Sequence, residues 1–133
     1  MIDHICIDMS SQANCREVFE EVLGLSAAYS FWIDGEFMDR MFGVKAGCAA
    51  AVYRAGDMKI EVFIRPELER PVSRTAHLCL AVPDRKKVLE SARARGLAVL
   101  HHPRAGRPLY YIRDRDGNYF EIKEIVSGKI QEK

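Results

Sequence analysis

The sequence predicts an α+β fold made of two similar βαβββ modules. Three observations predict it: an internal repeat, a period-two alternation that leaves one purely apolar face on each strand, and matched His and Glu landmarks in both copies. Asp3-His4-Ile5-Cys6-Ile7 resembles Ala76-His77-Leu78-Cys79-Leu80. Each copy then reaches a Gly-Leu pair, Gly24-Leu25 and Gly96-Leu97, after nearly the same interval. Each closes on an apolar-Glu-apolar triplet, Ile60-Glu61-Val62 and Phe120-Glu121-Ile122. The first copy carries about a dozen additional residues between its Gly and its Glu.

The elements follow in order. Residues 2–9 alternate and are rich in Ile, so they read as a strand. Ser10-Ser11 offers an N-cap, Val18, Phe19, Val22 and Leu23 form a helical stripe, and Gly24 stops it. Strands are expected near 27–34, 47–54 and 57–64, with a short helix over 36–42. Residues 65–74 hold two prolines and mixed charges and read as a linker. The second copy starts with a strand at 75–82. A helix begins at Asp84, carries Val88, Leu89 and Ala92, and ends at Gly96. Strands are expected near 97–101, 108–113 and 118–124, the last two joined by the turn Asp114-Arg115-Asp116-Gly117-Asn118. The modules therefore span about 2–64 and 75–124, and 125–133 is a polar, frayed tail. The whole of 1–133 is expected to be one domain.

Composition excludes several function classes. The 133 residues hold 20 Lys+Arg against 19 Asp+Glu, so no electrostatic footprint argues for nucleic acid or an anionic membrane surface. No apolar run approaches a membrane span, and no leader is evident, so a cytoplasmic home is the default. The four cysteines form no CxxC pair and read as reduced, mostly buried thiols. Cys6 and Cys79 are expected to be small fillers beside the histidines, with a redox-sensitive site as the lesser alternative.

Alternation sorts the candidate ligands. Ile5 and Ile7 share one face of their strand, His4 and Cys6 the other. Ile60 and Val62 oppose Lys59, Glu61 and Phe63; Leu78 and Leu80 oppose His77 and Cys79; Phe120 and Ile122 oppose Tyr119, Glu121 and Lys123. A lone strand His is usually a satisfied polar residue, but matched His and Glu in a repeat point further. Where these second faces converge, His4, Glu61, His77 and Glu121 would bind one divalent ion. Two imidazoles and two carboxylates suit Zn, Ni, Co, Fe or Mn, and the carboxylates cancel the ion's charge. By the same parity, Lys59, Phe63, Tyr111, Tyr119 and Lys123 are candidates to touch substrate. His101 and His102 are adjacent on one strand, so at most one can face the site.

The motifs Ile2-Asp3-His4-Ile5, Val22-Leu23-Gly24-Leu25, Ile60-Glu61-Val62, Ala76-His77-Leu78 and Asp114-Arg115-Asp116-Gly117-Asn118-Tyr119-Phe120-Glu121 resemble the vicinal oxygen chelate superfamily. That group includes glyoxalase I, methylmalonyl-CoA epimerase, fosfomycin-resistance transferases, extradiol dioxygenases and bleomycin-resistance proteins. The last motif is the most specific, and it departs from the familiar form by carrying Arg115 where Pro is usual. The resemblance implies paired modules forming a U-shaped metal-binding cup, commonly within a dimer. A complete tetrad resembles the glyoxalase I pattern and implies a metal-dependent lyase or isomerase acting on a small substrate with vicinal oxygens. In that chemistry Glu121 or Glu61 moves a proton from carbon. The alternatives are a non-catalytic small-molecule binding or resistance protein, and an Fe(II) dioxygenase using three of the four ligands. A homodimer is expected.

Overall fold

The computed structural model describes residues 1–69 and 75–131. The chain divides into two compact units, Met1–Glu69 and Arg70–Lys133, each organised on its own sheet. Half of the expected linker, residues 70–74, and the last two residues of the expected tail lie outside the described residues.

In the first unit β1 (His4–Met9), β2 (Ser26–Ile33), β3 (Cys48–Ala55) and β4 (Met58–Ile64) are ordered β1-β4-β3-β2. β1 runs parallel to β4 and the remaining pairs are antiparallel. β1 and β2 are joined by a helix, α1 (Gln12–Arg16), which runs straight on into a π-helical segment, Glu17–Val22. Ser11 caps it, its Oγ accepting from the Asn14 N–H at 3.1 Å. The segment differs from the regular helix expected, because the Leu23 N–H reaches back five residues to the Val18 carbonyl at 2.9 Å. The expected stripe of Val18, Phe19, Val22 and Leu23 stays buried through that wider turn. Phe19 stacks on Tyr53 of β3 with ring centroids 5.1 Å apart.

The additional residues of the first copy form α2 (Gly35–Phe42) and its return to β3. Asp34 caps this helix by accepting from the Phe37 N–H at 2.9 Å. Gly43 ends it at φ +68, and the Val44 N–H closes on the Met38 carbonyl at 3.2 Å. Met38 is buried with Ile33, Cys48 and Ala50, and Val44 and Phe63 pack against that cluster. Phe63 and Ala50 are register partners on the face opposite Tyr53 and Ile60. The helix α2 therefore covers one sheet face and α1 the other. Gly47 makes this possible, since a Cβ there would lie 2.7 Å from the Ile33 carbonyl oxygen.

The second unit repeats the plan without the insertion. Its sheet is ordered β5-β8-β7-β6, from β5 (His77–Val82), β6 (Ala98–His102), β7 (Leu109–Arg113) and β8 (Tyr119–Val126). β5 is parallel to β8, and α3 (Arg85–Ala94) connects β5 to β6. Val88, Leu89 and Ala92 of α3 are buried, as are Ile112, Phe120 and Ile122 of the sheet. The β7–β8 turn is knotted by one side chain. Asp114 Oδ1 accepts the N–H groups of Asp116 at 2.9 Å and Asn118 at 2.7 Å, and its Oδ2 accepts the Asn118 amide at 2.8 Å.

Two expectations change at the chain's end and at the thiols. β8 continues to Val126, and β9 (Lys129–Ile130) folds back on it through Ser127 and Gly128, both at positive φ, so 125–131 is a hairpin rather than a frayed tail. Cys15 and Cys48 are buried as expected, but Cys6 and Cys79 are exposed. They lie on the polar strand faces, opposite the faces that α1 and α3 cover. No helix among the described residues is long and apolar enough to cross a membrane.

Candidate metal centre

The parallel pairings place the ligand candidates in the same way in both units. Along β1 and β4, His4 is opposite Lys59 and Cys6 opposite Glu61. Along β5 and β8, His77 is opposite Tyr119 and Cys79 opposite Glu121. In each unit His and Glu thus share a face and sit on neighbouring strands, one pleat apart. The distances agree: His4 Nε2 lies 3.4 Å from Glu61 Oε2, and His77 Nε2 lies 3.4 Å from Glu121 Oε2. Among the described residues no group of three or more His, Cys, Asp or Glu side chains is placed to hold an ion. The structure brings the four candidates together as two pairs.

Each ring's other nitrogen fixes what the facing nitrogen can do. His77 Nδ1 is 2.8 Å from the Thr75 carbonyl oxygen, which can only accept, so Nδ1 carries the hydrogen. His4 Nδ1 is 2.9 Å from Asp3 Oδ2. That carboxyl is held below the usual range by its bonds to His4 and Lys59, so it too is an acceptor. In the neutral ring each Nε2 is then a lone pair aimed at a carboxylate oxygen. Two lone pairs at 3.4 Å repel unless a proton or a metal ion lies between them. Bonds of about 2.1 Å to one ion would set two donors roughly 3.0–3.4 Å apart. The donor set and its spacing therefore fit a divalent metal, and the Asp3 and Thr75 contacts are the outer bonds that hold ligating imidazoles in place.

The two pairs differ in their surroundings. The Glu121 side chain is 2% exposed and that of Glu61 17%. Tyr111 donates its hydroxyl to Glu121 Oε2 at 3.3 Å and packs edge-on against His77, ring centroids 5.3 Å apart. Val52 holds the corresponding register position beside Glu61. Of the other parity candidates, Lys59 puts its ammonium 3.1 Å from Asp3 Oδ2, and Phe63 packs edge-on to Phe42 of α2. Tyr119 and Lys123 are half-buried on the face of Glu121. His102 pairs with Leu109 on that face, whereas His101 stacks on Tyr110 on the other. Loss of solvation, then the Glu61 and Asp8 carboxylates, push the Cys6 thiol up, which disfavours a reactive thiolate at that position.

Sequence reasoning missed a pouch beside the first pair. A cavity of about 450 Å³ in the first unit is lined by His4, Cys6 and Glu61 on the sheet and by Met38, Phe42 and Val44 from the insertion. Asp8 and Arg65 line it as well, joined by an ion pair of 2.9 Å. The visible signal was the apolar content of 36–44, but periodicity alone did not say which sheet face α2 would cover. Arg65, the first residue of the expected linker, belongs instead to this sheet. Its N–H bonds to the Met9 carbonyl at 2.8 Å, which extends the β4 edge by one residue.

The family profile described as Glyoxalase/Bleomycin resistance protein/Dioxygenase superfamily matches residues 1–122. No curated protein matches the chain. Among solved structures it is similar to a glyoxalase family protein from Enterococcus faecalis, with 19% identity over 92% of this chain and 95% of that one and a TM-score of 0.66. A glyoxalase family protein from Bacillus cereus gives 20% identity over 92% of each chain and a TM-score of 0.69. A variant of the fosfomycin resistance protein FosX from Listeria monocytogenes, in complex with Mn(II) and 1S,2S-dihydroxypropylphosphonic acid, gives 15% identity over 92% and 87% and a TM-score of 0.67. At these identities the likeness is one of fold.

Proposed function

Because the chain belongs to the Glyoxalase/Bleomycin resistance protein/Dioxygenase superfamily, we propose that it is a metal-dependent lyase or isomerase that moves a proton on a small substrate with vicinal oxygens. The observation that carries this reading is the pair of His–Glu contacts, each 3.4 Å, with both rings held at Nδ1 by an acceptor so that Nε2 faces the carboxylate. His4, Glu61, His77 and Glu121 would hold one ion, joined within a chain or across two copies. That ion would supply Lewis acidity to a substrate oxygen and so acidify the neighbouring C–H bond.

The residues divide the remaining work. Asp3 and the Thr75 carbonyl orient the two imidazoles. The Tyr111 hydroxyl holds Glu121 Oε2. Glu61, with Val52 rather than a hydroxyl at the matching position, is the carboxylate better able to swing and accept a proton. Lys59, Phe63, Tyr119 and Lys123 are the proposed substrate contacts. We read the protein as a cytoplasmic homodimer, supported by the edge strand β2, which exposes Tyr29, Phe31 and Trp32.

The test begins with elemental analysis and a Mn(II) titration of the purified protein. One ion per four-ligand set is expected, lost in His77→Ala and in Glu121→Ala with the circular dichroism spectrum retained. Exchange of a substrate α-hydrogen with solvent should require the metal. Stoichiometric metal that survives both substitutions would sink the proposed centre.

A further inference from the structure

The pouch beside His4 and Glu61 has a chemistry that selects a substrate class, and it rests on the metal reading above. One wall is apolar: Met38, Phe42 and Val44 from the insertion, and Phe63 from β4. Phe42 and Phe63 meet edge-on with ring centroids 5.9 Å apart, an aromatic corner able to grip a flat ring. At about 450 Å³ the cavity lies within the range of small-molecule sites, which are mostly apolar with a few placed polar groups.

The basic side chains in and beside the pouch are already matched. Arg65 Nη1 is 2.9 Å from Asp8 Oδ2, and its Nε is 3.2 Å from Glu67 Oε1. Lys59, beside His4 in the register, is bound to Asp3 at 3.1 Å. An anionic substituent entering here would have to break one of these pairs and would face Glu61 and Asp8. An uncharged one meets only apolar side chains at the inner wall.

We infer that the pouch is a specificity pocket for an uncharged aryl or branched alkyl group carried next to the metal-binding oxygens of the substrate. The oxygens lie toward His4 and Glu61, and the apolar group lies under α2 between Phe42, Phe63 and Met38. The insertion that lengthens the first module is then the element that chooses the substrate.

Calorimetry on the Mn(II)-loaded protein tests this with three probes: pyruvate, benzoylformate and 4-carboxybenzoylformate. They share the 2-oxo acid and differ only in the group offered to the pouch. Benzoylformate should bind at least ~10-fold more tightly than pyruvate, as burial of a ring predicts. The 4-carboxy probe should lose that advantage. Phe42→Ala and Val44→Asp should bring benzoylformate down to the pyruvate level while leaving Mn(II) affinity unchanged. Equal binding of the first two probes, or tighter binding of the carboxylated one, would overturn the inference. A second arm separates it from the metal reading. In metal-free protein labelled at the methionine methyls, toluene should shift the Met38 resonance in the wild type and not in Val44→Asp. That shift with no Mn(II) binding keeps the pocket and sinks the metalloenzyme; no shift, with Mn(II) bound, sinks the pocket.

Discussion

At the scale of single residues, the two His–Glu pairs are alike in distance and unlike in support. Glu121 has the Tyr111 hydroxyl on Oε2 and is almost wholly buried. Glu61 has Val52 at the matching register position. Outer contacts of this kind commonly change metal affinity by about 10- to 100-fold. Tyr111→Phe should therefore weaken Mn(II) binding within that range. Val52→Ala, its counterpart in the first unit, should cost stability through lost packing and leave affinity nearly unchanged. Parallel titrations of the two variants decide it; equal affinities for Tyr111→Phe and wild type would remove the hydroxyl from the site. Acidification should also release the metal, since a protonated imidazole has no lone pair to give.

At the scale of elements, two contacts set where the helices lie. Gly47 lets the insertion return against the end of β2, and a methyl group there would lie 2.7 Å from the Ile33 carbonyl oxygen and 2.9 Å from the Trp32 ring. Gly47→Ala should lower stability by about 1–3 kcal/mol, the usual cost of overpacking, and should weaken benzoylformate binding because α2 is displaced. Urea unfolding and the same calorimetry measure both. On the other face of the sheet, the Cys15 thiol donates to the Tyr53 hydroxyl at 3.7 Å. Burial pushes that thiol up to about 11 from 9.0. The folded chain thus keeps the thiol proton more tightly than the unfolded one. The resulting stability is fully present below pH 9 and is lost as pH rises toward 11; it amounts to roughly 2–3 kcal/mol. Cys15→Ala should lose less stability between pH 7 and pH 10.5 than the wild type. Parallel loss in both proteins would assign the alkaline sensitivity to other groups.

At the scale of the whole molecule, metal and assembly should act together. A ligand that binds only the folded state stabilises it by about 2.7 kcal/mol at a hundredfold excess over Kd. Mn(II) should accordingly raise the unfolding midpoint, and a chelator should reverse the gain. The exposed β2 edge, with Tyr29, Phe31 and Trp32, is where a second copy would dock. Light scattering at micromolar concentration should give the mass of a dimer. Trp32→Lys should shift it to a monomer, and a monomeric wild type would remove the assembly from the reading.

What the sequence determined by itself rests on short-range periodicity and on the repeat. Alternation sorted Ile60 and Val62 from Glu61, and Phe120 and Ile122 from Glu121, because a strand's side chains change face at every residue and only one face can meet the core. The short helix expected over 36–42 is there, starting at Gly35, because Asp34 and Gly43 are local cap and stop signals. Tertiary structure alone decided which face α2 covers. A helix of that length has no preference until Met38 finds Ile33, Cys48 and Ala50. It alone decided that Asp3 and the Thr75 carbonyl turn the two imidazoles, since residues one or two positions from each His reach back to it only when the strand's entry is bent into place. The pouch was invisible for the same reason. Its walls come from β1, α2 and β4, and the distance between those segments in sequence carries no local signal of their meeting in space.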